Sequence, residues 1–416
     1  MLSRVASLRA LSHRPYRVLW TGAFIANIGG WMQTVALGVF VTQTTGSAGW
    51  TGTVAALSYL PVVVLGPVGG VLADRWDRKS HLLVGTLVQT ALASLLAGLA
   101  LSHRLTVPTV GAVAFAAGCV GALLAPAFSV VLATSVPRED LLSAISLNSA
   151  QFNVGRIVGP LLAAVALAWG GLGAALGANA VGFWAAVASL VVLRLPAQPP
   201  ARAEPFAAGL RRGFAAAWAD LGTRTALALT LVIATLVAPF IGLVPVMAIQ
   251  VFRGGATQTS LLVTSQGLGA ISAALLSGSL AARLGRRRLL VGASLVTPVA
   301  GAAFWLAPTM LTSAAALFVL GGAYLTALAG LSTVVQARAA TSLHARVTSL
   351  YAMFLGGGYA VGLVGIGWLG DRLGVRAVGA ACSGLCLACI LALRALRPSA
   401  LGALVAGSVH PERSEA

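Results

Sequence analysis

The sequence predicts an all-α membrane protein with twelve transmembrane helices in two pseudo-symmetric six-helix bundles. Three observations carry this prediction. The 416 residues are 58% hydrophobic and only 9% charged, with a mean hydropathy of +0.93, whereas a soluble chain carries about 25% charged residues. Apolar stretches that approach the roughly 20 residues needed to cross a bilayer core recur along the whole chain. A short polar run also recurs: Gly70, Leu72, Arg75, Arg78 and Lys79 are matched by Gly278, Leu280, Arg283, Arg286 and Arg287 at a constant offset of half the chain. A duplicated multi-span bundle produces such a repeat.

Taking charges, Pro/Gly clusters and polar runs as breaks, the first half yields spans at 17–42, 50–73, 80–102, 108–135, 142–169 and 173–195. The second half yields 225–250, 259–282, 288–307, 312–337, 347–369 and 376–396. Pro61, Pro67, Pro126, Pro160, Pro239 and Pro245 fall within these windows. Bundled membrane helices accept such prolines because neighbours and water satisfy the freed backbone groups. The N-terminal start lacks a small-residue cleavage site after its first apolar stretch, so the first span is expected to remain in the protein. The expected organisation is an N-terminal bundle over 1–195, a cytoplasmic linker over 196–224, a C-terminal bundle over 225–396 and a cytoplasmic tail over 397–416. The linker opens Pro196-Ala197-Gln198-Pro199-Pro200, which favours extended chain. Phe206, Leu210, Phe214 and Trp218 then recur every four residues opposite Arg211 and Arg212, the pattern of a helix lying on a membrane surface.

Charge sets the direction. The formal net charge of +18 could indicate a nucleic-acid partner, but the basic residues sit in short loops between apolar spans. With both termini inside, the inner loops and tails hold 22 basic residues, whereas the outer loops hold four: Arg104, Arg253, Arg372 and Arg376. That asymmetry places both termini in the cytoplasm and the chain in the inner membrane. Cys119, Cys382, Cys386 and Cys389 lie in apolar runs with no His or carboxylate nearby, which reads as packing and not as a metal site.

Polar residues stranded in apolar stretches are the functional candidates. Asp74 sits where the second span meets the cytoplasm, one turn after Gly70, with Arg75, Arg78 and Lys79 beside it. A carboxylate there can cap the positive end of a facing helix, and a glycine lets that helix come close. The expected partner is the start of the eleventh span, near Arg346, Val347 and Thr348. This predicts a latch between the halves that holds the cytoplasmic face shut. The second copy carries Ala282 in place of the acid. Arg156 is the one ionisable residue well inside a span, amid Asn148, Gln151, Asn153, Gly155, Gly159 and Pro160. It is expected either to face a substrate cavity or gate, or to bond to carbonyls of a kinked neighbour. Asn27, Trp31 and Gln33 in the first span, with Gln266 and Tyr324 more weakly, are cavity candidates whose alternative role is helix packing.

Around these residues the chain resembles the major facilitator superfamily. Gly70 through Lys79 is similar to its signature between the second and third spans, with Asp77 replacing the usual glycine. The run Gly155-x3-Gly159-Pro160 is similar to a fifth-span motif associated with antiporters, with Ala163 and Ala164 replacing its terminal glycine pair. Tyr16-Arg17-Val18-Leu19-Trp20, Asn27-Ile28-Gly29-Gly30-Trp31-Met32-Gln33, Thr45-Gly46-Ser47 and Pro137-Arg138-Glu139-Asp140-Leu141 resemble the branch of enterobactin exporters and macrolide-efflux proteins, the transmembrane secretion effector family. The resemblance implies alternating access, outward export and proton antiport.

The function expected is therefore secondary-active export of a small amphipathic molecule such as a drug, siderophore or secondary metabolite. None of the nine acidic residues or five histidines lies at mid-membrane depth, which favours neutral, amphipathic or anionic cargo over a cation. The alternatives are an uptake permease for a small metabolite, or a non-transporting membrane sensor that kept the fold. The expected partners are a small-molecule substrate, the lipid bilayer and protons, with the chain acting as a monomer. No cofactor is expected, and no nucleic acid or nucleotide, since no Gly-x4-Gly-Lys-Ser/Thr loop occurs. No catalytic constellation is present in the sequence, so the chain is not expected to be an enzyme.

Overall fold

The computed structural model describes residues 6–194, 206–339 and 343–397, and the isolated positions 399, 402 and 404. Fourteen α-helices and a few single-turn helices account for these residues: α1 (Arg14–Thr45), α2 (Ala48–Leu57), α3 (Leu60–Arg75), α4 (Arg78–Leu101), α5 (Val107–Thr134), α6 (Leu141–Val192), α7 (Phe206–Ala219), α8 (Leu221–Leu236), α9 (Phe240–Val246), α10 (Ala256–Leu284), α11 (Arg286–Leu306), α12 (Met310–Arg338), α13 (His344–Leu373) and α14 (Val375–Leu396).

These helices make the twelve spans of a two-bundle membrane fold once three irregularities are read physically. The fifth and sixth spans run together as α6, but Gly171 adopts φ 67° and ψ −164°, a conformation only glycine tolerates, and bends the chain back on itself. The second span is broken between α2 and α3, where Ser58 and Tyr59 precede Pro61. The seventh joins α8, α9 and a π-turn over Met247–Val251, with Pro239 and Pro245 removing backbone donors. Ends are capped locally: the side chains of Ser47, Asp77, Thr106, Asp220 and Thr309 accept a backbone N–H from the first turn of the helix that follows.

Helix α7 occupies the place of the expected amphipathic stretch, with Phe214 stacked on Trp218 at 5.2 Å between centroids and both rings about half exposed. Residues 195–205 and most of the tail beyond 397 lie outside the described residues. The interior of the second half packs around Phe240, Phe304, Trp305 and Tyr324, all at least nine-tenths buried. Large apolar side chains such as Trp169, Leu275 and Leu311 cover the periphery, which suits a lipid-facing surface rather than water. Because spans alternate in direction, α1 begins and α14 ends at the same end of the molecule, called here the terminal end. The opposite end is the far end.

Candidate functional site: an inter-bundle cavity and its seal

The first helix is laced to the first arm of α6 by a ladder of side chains. His13 pairs with Asp140 at 2.8 Å, and the Tyr16 hydroxyl donates to the Ala144 carbonyl at 2.8 Å. Trp20 Nε1 donates to the Leu147 carbonyl at 3.1 Å, and Asn27 Nδ2 donates to the Gln151 carbonyl at 2.9 Å. Above that last rung, Gly155 and Gly159 leave room for α1: a Cβ on either would collide with Asn27 or with Trp31. The antiporter-like run therefore has a plain structural task here, seating α1 against α6, with Pro160 fully within that packed region.

Beside this seam a cavity of about 700 Å³ lies between the two halves. Ala23 and Asn27 from α1, Phe128 from α5 and Asn148, Gln151, Phe152 and Arg156 from α6 form one wall. Ala273, Ala274 and Ser277 from α10 and Leu325, Thr326 and Ala329 from α12 form the other. Those positions fall mostly in the terminal-end portions of their helices, and Ser149, Ala274 and Ala329 are exposed, so the cavity opens toward the terminal end. A smaller chamber of about 290 Å³ branches from it, sharing Ala23, Asn27 and Phe128 and otherwise lined by mostly apolar residues that include Leu19, Leu82, Phe183 and Leu190.

Arg156 sits roughly 22 Å along α6 from its first residue, at 1.5 Å per residue. It is 6% exposed, and its Nε and Nη2 have no hydrogen-bond partner among the described residues. The expectation that it bonds to carbonyls of a kinked neighbour is thus not met for those two atoms. Burying an arginine at this depth costs about 2.5–3.5 kcal/mol, and each unbonded donor adds about 1–3 kcal/mol. The Trp31 ring, 5.7 Å from the guanidinium carbon, offsets roughly 2 kcal/mol at best. The protein leaves this charge largely uncompensated.

Other candidates divide clearly. Gln151 Nε2 donates to Asn148 Oδ1 at 2.7 Å while its Oε1 has no partner among the described residues, so both remain on the cavity wall. Trp31 and Gln33 line a separate chamber of about 140 Å³ deeper between the halves, where Gln33 accepts a hydrogen bond from Asn179 at 2.7 Å. Gln266 and Tyr324 line neither cavity. Gln266 is fully buried against Gly321 of α12, and Tyr324 packs edge-on to Phe240.

The far end is closed by a contact that the sequence does not announce. Asp371, near the end of α13, accepts hydrogen bonds from the Ser47 hydroxyl, from the Ala48 N–H at 2.6 Å and from the Gly49 N–H at 3.0 Å. A carboxylate thus caps the first turn of α2 across the two halves. Around it Trp50 faces Trp368 at 6.0 Å, and Trp368 Nε1 donates to Thr53 Oγ1 at 3.0 Å. A Cβ on Gly367 would come within 2.6 Å of the Ala48 carbonyl, and one on Gly52 would strike the Leu363 carbonyl, so small residues set the fit. Deeper in, Tyr59 meets Tyr359 edge to face at 4.8 Å.

At the terminal end, the described ion pairs stay within one half. Besides His13–Asp140, Arg338 forms a two-pronged pair with Asp220 at 2.7 and 2.8 Å. The Arg338 guanidinium, helped by Thr223, holds the Asp220 carboxyl down at about 2. The described side-chain contact of the expected latch residues lies within one half. Lys79 Nζ reaches the Val191 carbonyl at 3.2 Å, inside its own half, and Arg78 begins α4. Gly70 has open space where a Cβ would be, and Gly69 makes the close approach instead, against Leu123. The side chains of Asp74 and Arg75 lie outside the described residues.

Two six-helix bundles around a cavity open at one end and sealed at the other define a membrane transporter of the major facilitator type. The profile of the transmembrane secretion effector family matches residues 5–412, and the chain belongs to that family. Macrolide efflux protein A of Streptococcus pyogenes is 29% identical over 181 residues, 44% of this chain and only 45% of that protein. Enterobactin exporter EntS of Citrobacter koseri is 28% identical over 369 residues, 87% of this chain and 86% of that protein. A Na(+), Li(+), K(+)/H(+) antiporter of Planococcus maritimus is 32% identical over 154 residues, 37% of this chain and 36% of that protein. Among solved structures, nucleoside transporter NupG superposes with a TM-score of 0.71 at 14% identity, covering 92% of this chain and 99% of that one. An auto-inhibited POT family peptide transporter gives 0.73 at 14% identity, covering 92% and 97%. At that identity the structures speak for the fold alone.

Proposed function

We propose that this protein is a secondary-active exporter of a small amphipathic molecule, seated in the inner membrane with both termini in the cytoplasm. The excess of basic residues at the terminal end supports that orientation. The observation that carries the reading is the asymmetric cavity, open at the terminal end and sealed at the far end by Asp371 on the first turn of α2. In this orientation cargo enters from the cytoplasm or the inner leaflet through a site that already faces them.

The transport cycle then needs the far seal to break and the terminal end to close. Asp371 releases Ser47, Ala48 and Gly49, the halves rock about the contact where Gly267 of α10 meets Ile157 and the Arg156 backbone, and cargo leaves outside. Asp74 then takes the reciprocal role, capping the start of α13, with Gly70 giving room and Arg75, Arg78 and Lys79 flanking it. Two carboxylates at opposite ends of one antiparallel pair of spans make the two closed states mutually exclusive. Proton antiport is the coupling this reading carries, in line with the name of the antiporter relative.

The test is flux in sealed vesicles of known orientation, with and without an imposed proton gradient. Inverted vesicles should accumulate an amphipathic substrate when their interior is acid, and right-side-out vesicles should expel it. Uptake into right-side-out vesicles driven by the inward proton gradient would reverse the direction proposed.

A further inference from the structure

We infer that the cavity selects an amphipathic organic anion, with Arg156 holding its charged group and the apolar side chamber holding its body. This deepens the export reading, since it names the cargo class of the same cavity and rests on that cavity being the transport site.

The Arg156 guanidinium is nine-tenths buried in the cavity wall, and two of its three nitrogens have no bonding partner among the described residues. The five helices that wall the cavity, α1, α5, α6, α10 and α12, contain no aspartate or glutamate anywhere along their length. No carboxylate of the cavity wall can therefore approach to neutralise it. The Trp31 ring lies 5.7 Å from the Arg156 guanidinium carbon, and Tyr59, Tyr324 and Tyr359 are the other electrostatic neighbours of that group; none of them bonds Nε or Nη2. A fixed planar fork of donors with nothing to receive them is the chemistry that takes a carboxylate, sulfonate or phenolate.

The shape of the cavity suits the rest of such a molecule. The chamber of about 290 Å³ opens from the main cavity at Ala23, Asn27 and Phe128, and it is walled by Leu19, Leu82, Phe183 and Leu190. A molecule with its anionic head on Arg156 can lay an apolar ring system past Phe128 into that chamber. Gln151 Oε1, unpartnered among the described residues on the same wall, adds an acceptor for a hydroxyl or amide N–H on the cargo. A cation finds nothing here to pair with and meets Arg156 in addition. The same head-and-tail chemistry belongs to an anionic phospholipid, and we assign the site to a soluble anion.

The test measures binding without flux, so it stands or falls apart from the direction of transport. The full chain is placed in nanodiscs of zwitterionic lipid and titrated by calorimetry with three ligands of one body: naphthaleneacetate, its neutral amide naphthaleneacetamide, and naphthylethylammonium. The anion should bind about tenfold or more tightly than the amide, and the cation more weakly still. Arg156→Gln should erase the preference for anion over amide while leaving amide affinity in place, and Arg156→Lys should keep part of it. Equal binding of all three by the wild-type protein would overturn the inference without recourse to any variant. So would a preference that survives Arg156→Gln. Loss of naphthaleneacetate binding when phosphatidylglycerol is included in the nanodisc would overturn the assignment to a soluble anion and give the site to a lipid headgroup.

Discussion

Asp371 and Asp74 occupy corresponding places at opposite ends of the same two spans, and those two ends of the molecule differ: the far end is sealed, and the terminal end leads into a cavity. Each lies near the C-terminal end of its helix in a Leu-x-Asp-Arg run: Leu369-Gly370-Asp371-Arg372 and Leu72-Ala73-Asp74-Arg75. Asp371 accepts hydrogen bonds from three donors at the start of α2, whereas at the terminal end α1, α5, α6, α10 and α12 frame an open cavity. A carboxylate at a helix C-terminus sits badly with its own helix dipole and well against the N-terminus of another. Each acid is thus better placed across the halves than within its own. The difference between the two ends teaches that one antiparallel pair of spans can carry both gates, each made by the same chemistry, with only one able to close at a time.

The largest effect should come from breaking the closed gate. Asp371→Ala removes the acceptor for three donors on the other half, two of them backbone N–H groups that water must then satisfy. Hydrogen bonds to a charged group contribute about 1.5–3 kcal/mol each, and the site is solvent-exposed, so about 2–3 kcal/mol in total is the expected loss. That shifts the balance between the two open states by roughly 30- to 150-fold. A cysteine placed at Thr53, in a background lacking the native cysteines, should become reactive toward a membrane-impermeant maleimide added outside. Unchanged labelling would remove Asp371 from the gate.

Asp74→Asn should act in the opposite sense and more weakly, since it leaves a neutral acceptor in place. Transport at matched membrane abundance should fall several-fold, and labelling of the Thr53→Cys reporter should fall with it. The sharper comparison is the double variant. If the two acids bias one equilibrium from opposite ends, Asp74→Asn added to Asp371→Ala should pull labelling back toward the wild-type level. Labelling that stays at the Asp371→Ala level would mean that the two ends are not coupled.

Much of the architecture is legible in the amino-acid sequence, because hydropathy, spacing and a half-chain repeat are properties of local sequence. Eleven of the described helical stretches are long and apolar enough to cross a membrane, and the glycine bend at Gly171 divides the longest into two. What local sequence conceals is which residues meet. Asp371 reads as one acid among basic neighbours, and Ser47 as part of a family motif. Their pairing depends on residues 324 apart meeting across two bundles. The available signal is the second Leu-x-Asp-Arg run and a serine placed to begin a helix at Ala48. Asn27 and Arg156 are legible as polar intruders, yet sequence cannot separate them. The structure makes Asn27 a rung between two helices of one half and leaves two Arg156 nitrogens unpartnered among the described residues. Gln266 and Tyr324 look alike for the same reason and pack into the second half instead.

The smallest effect marks the boundary of the comparison. The Asp220–Arg338 contact is a two-pronged ion pair at 2.7 and 2.8 Å, but it joins α12 to the start of α8 inside one half. Its strength should therefore enter folding stability and leave the equilibrium between the two gates alone. Because the Asp220 carboxyl is held at about 2, below its ordinary 3.8, its contribution is fully present above pH 3.8 and is lost as pH falls toward 2. The side chain is a third exposed, so after allowing for solvent screening the contribution is about 1 kcal/mol. Arg338→Gln should lower the thermal midpoint of the purified protein by a few degrees at neutral pH, with the deficit closing in strong acid. The maleimide reactivity of Thr53→Cys should not change. A shift in that reactivity would show that pairs within a half also set the gates, and the division between the two kinds of contact would fail.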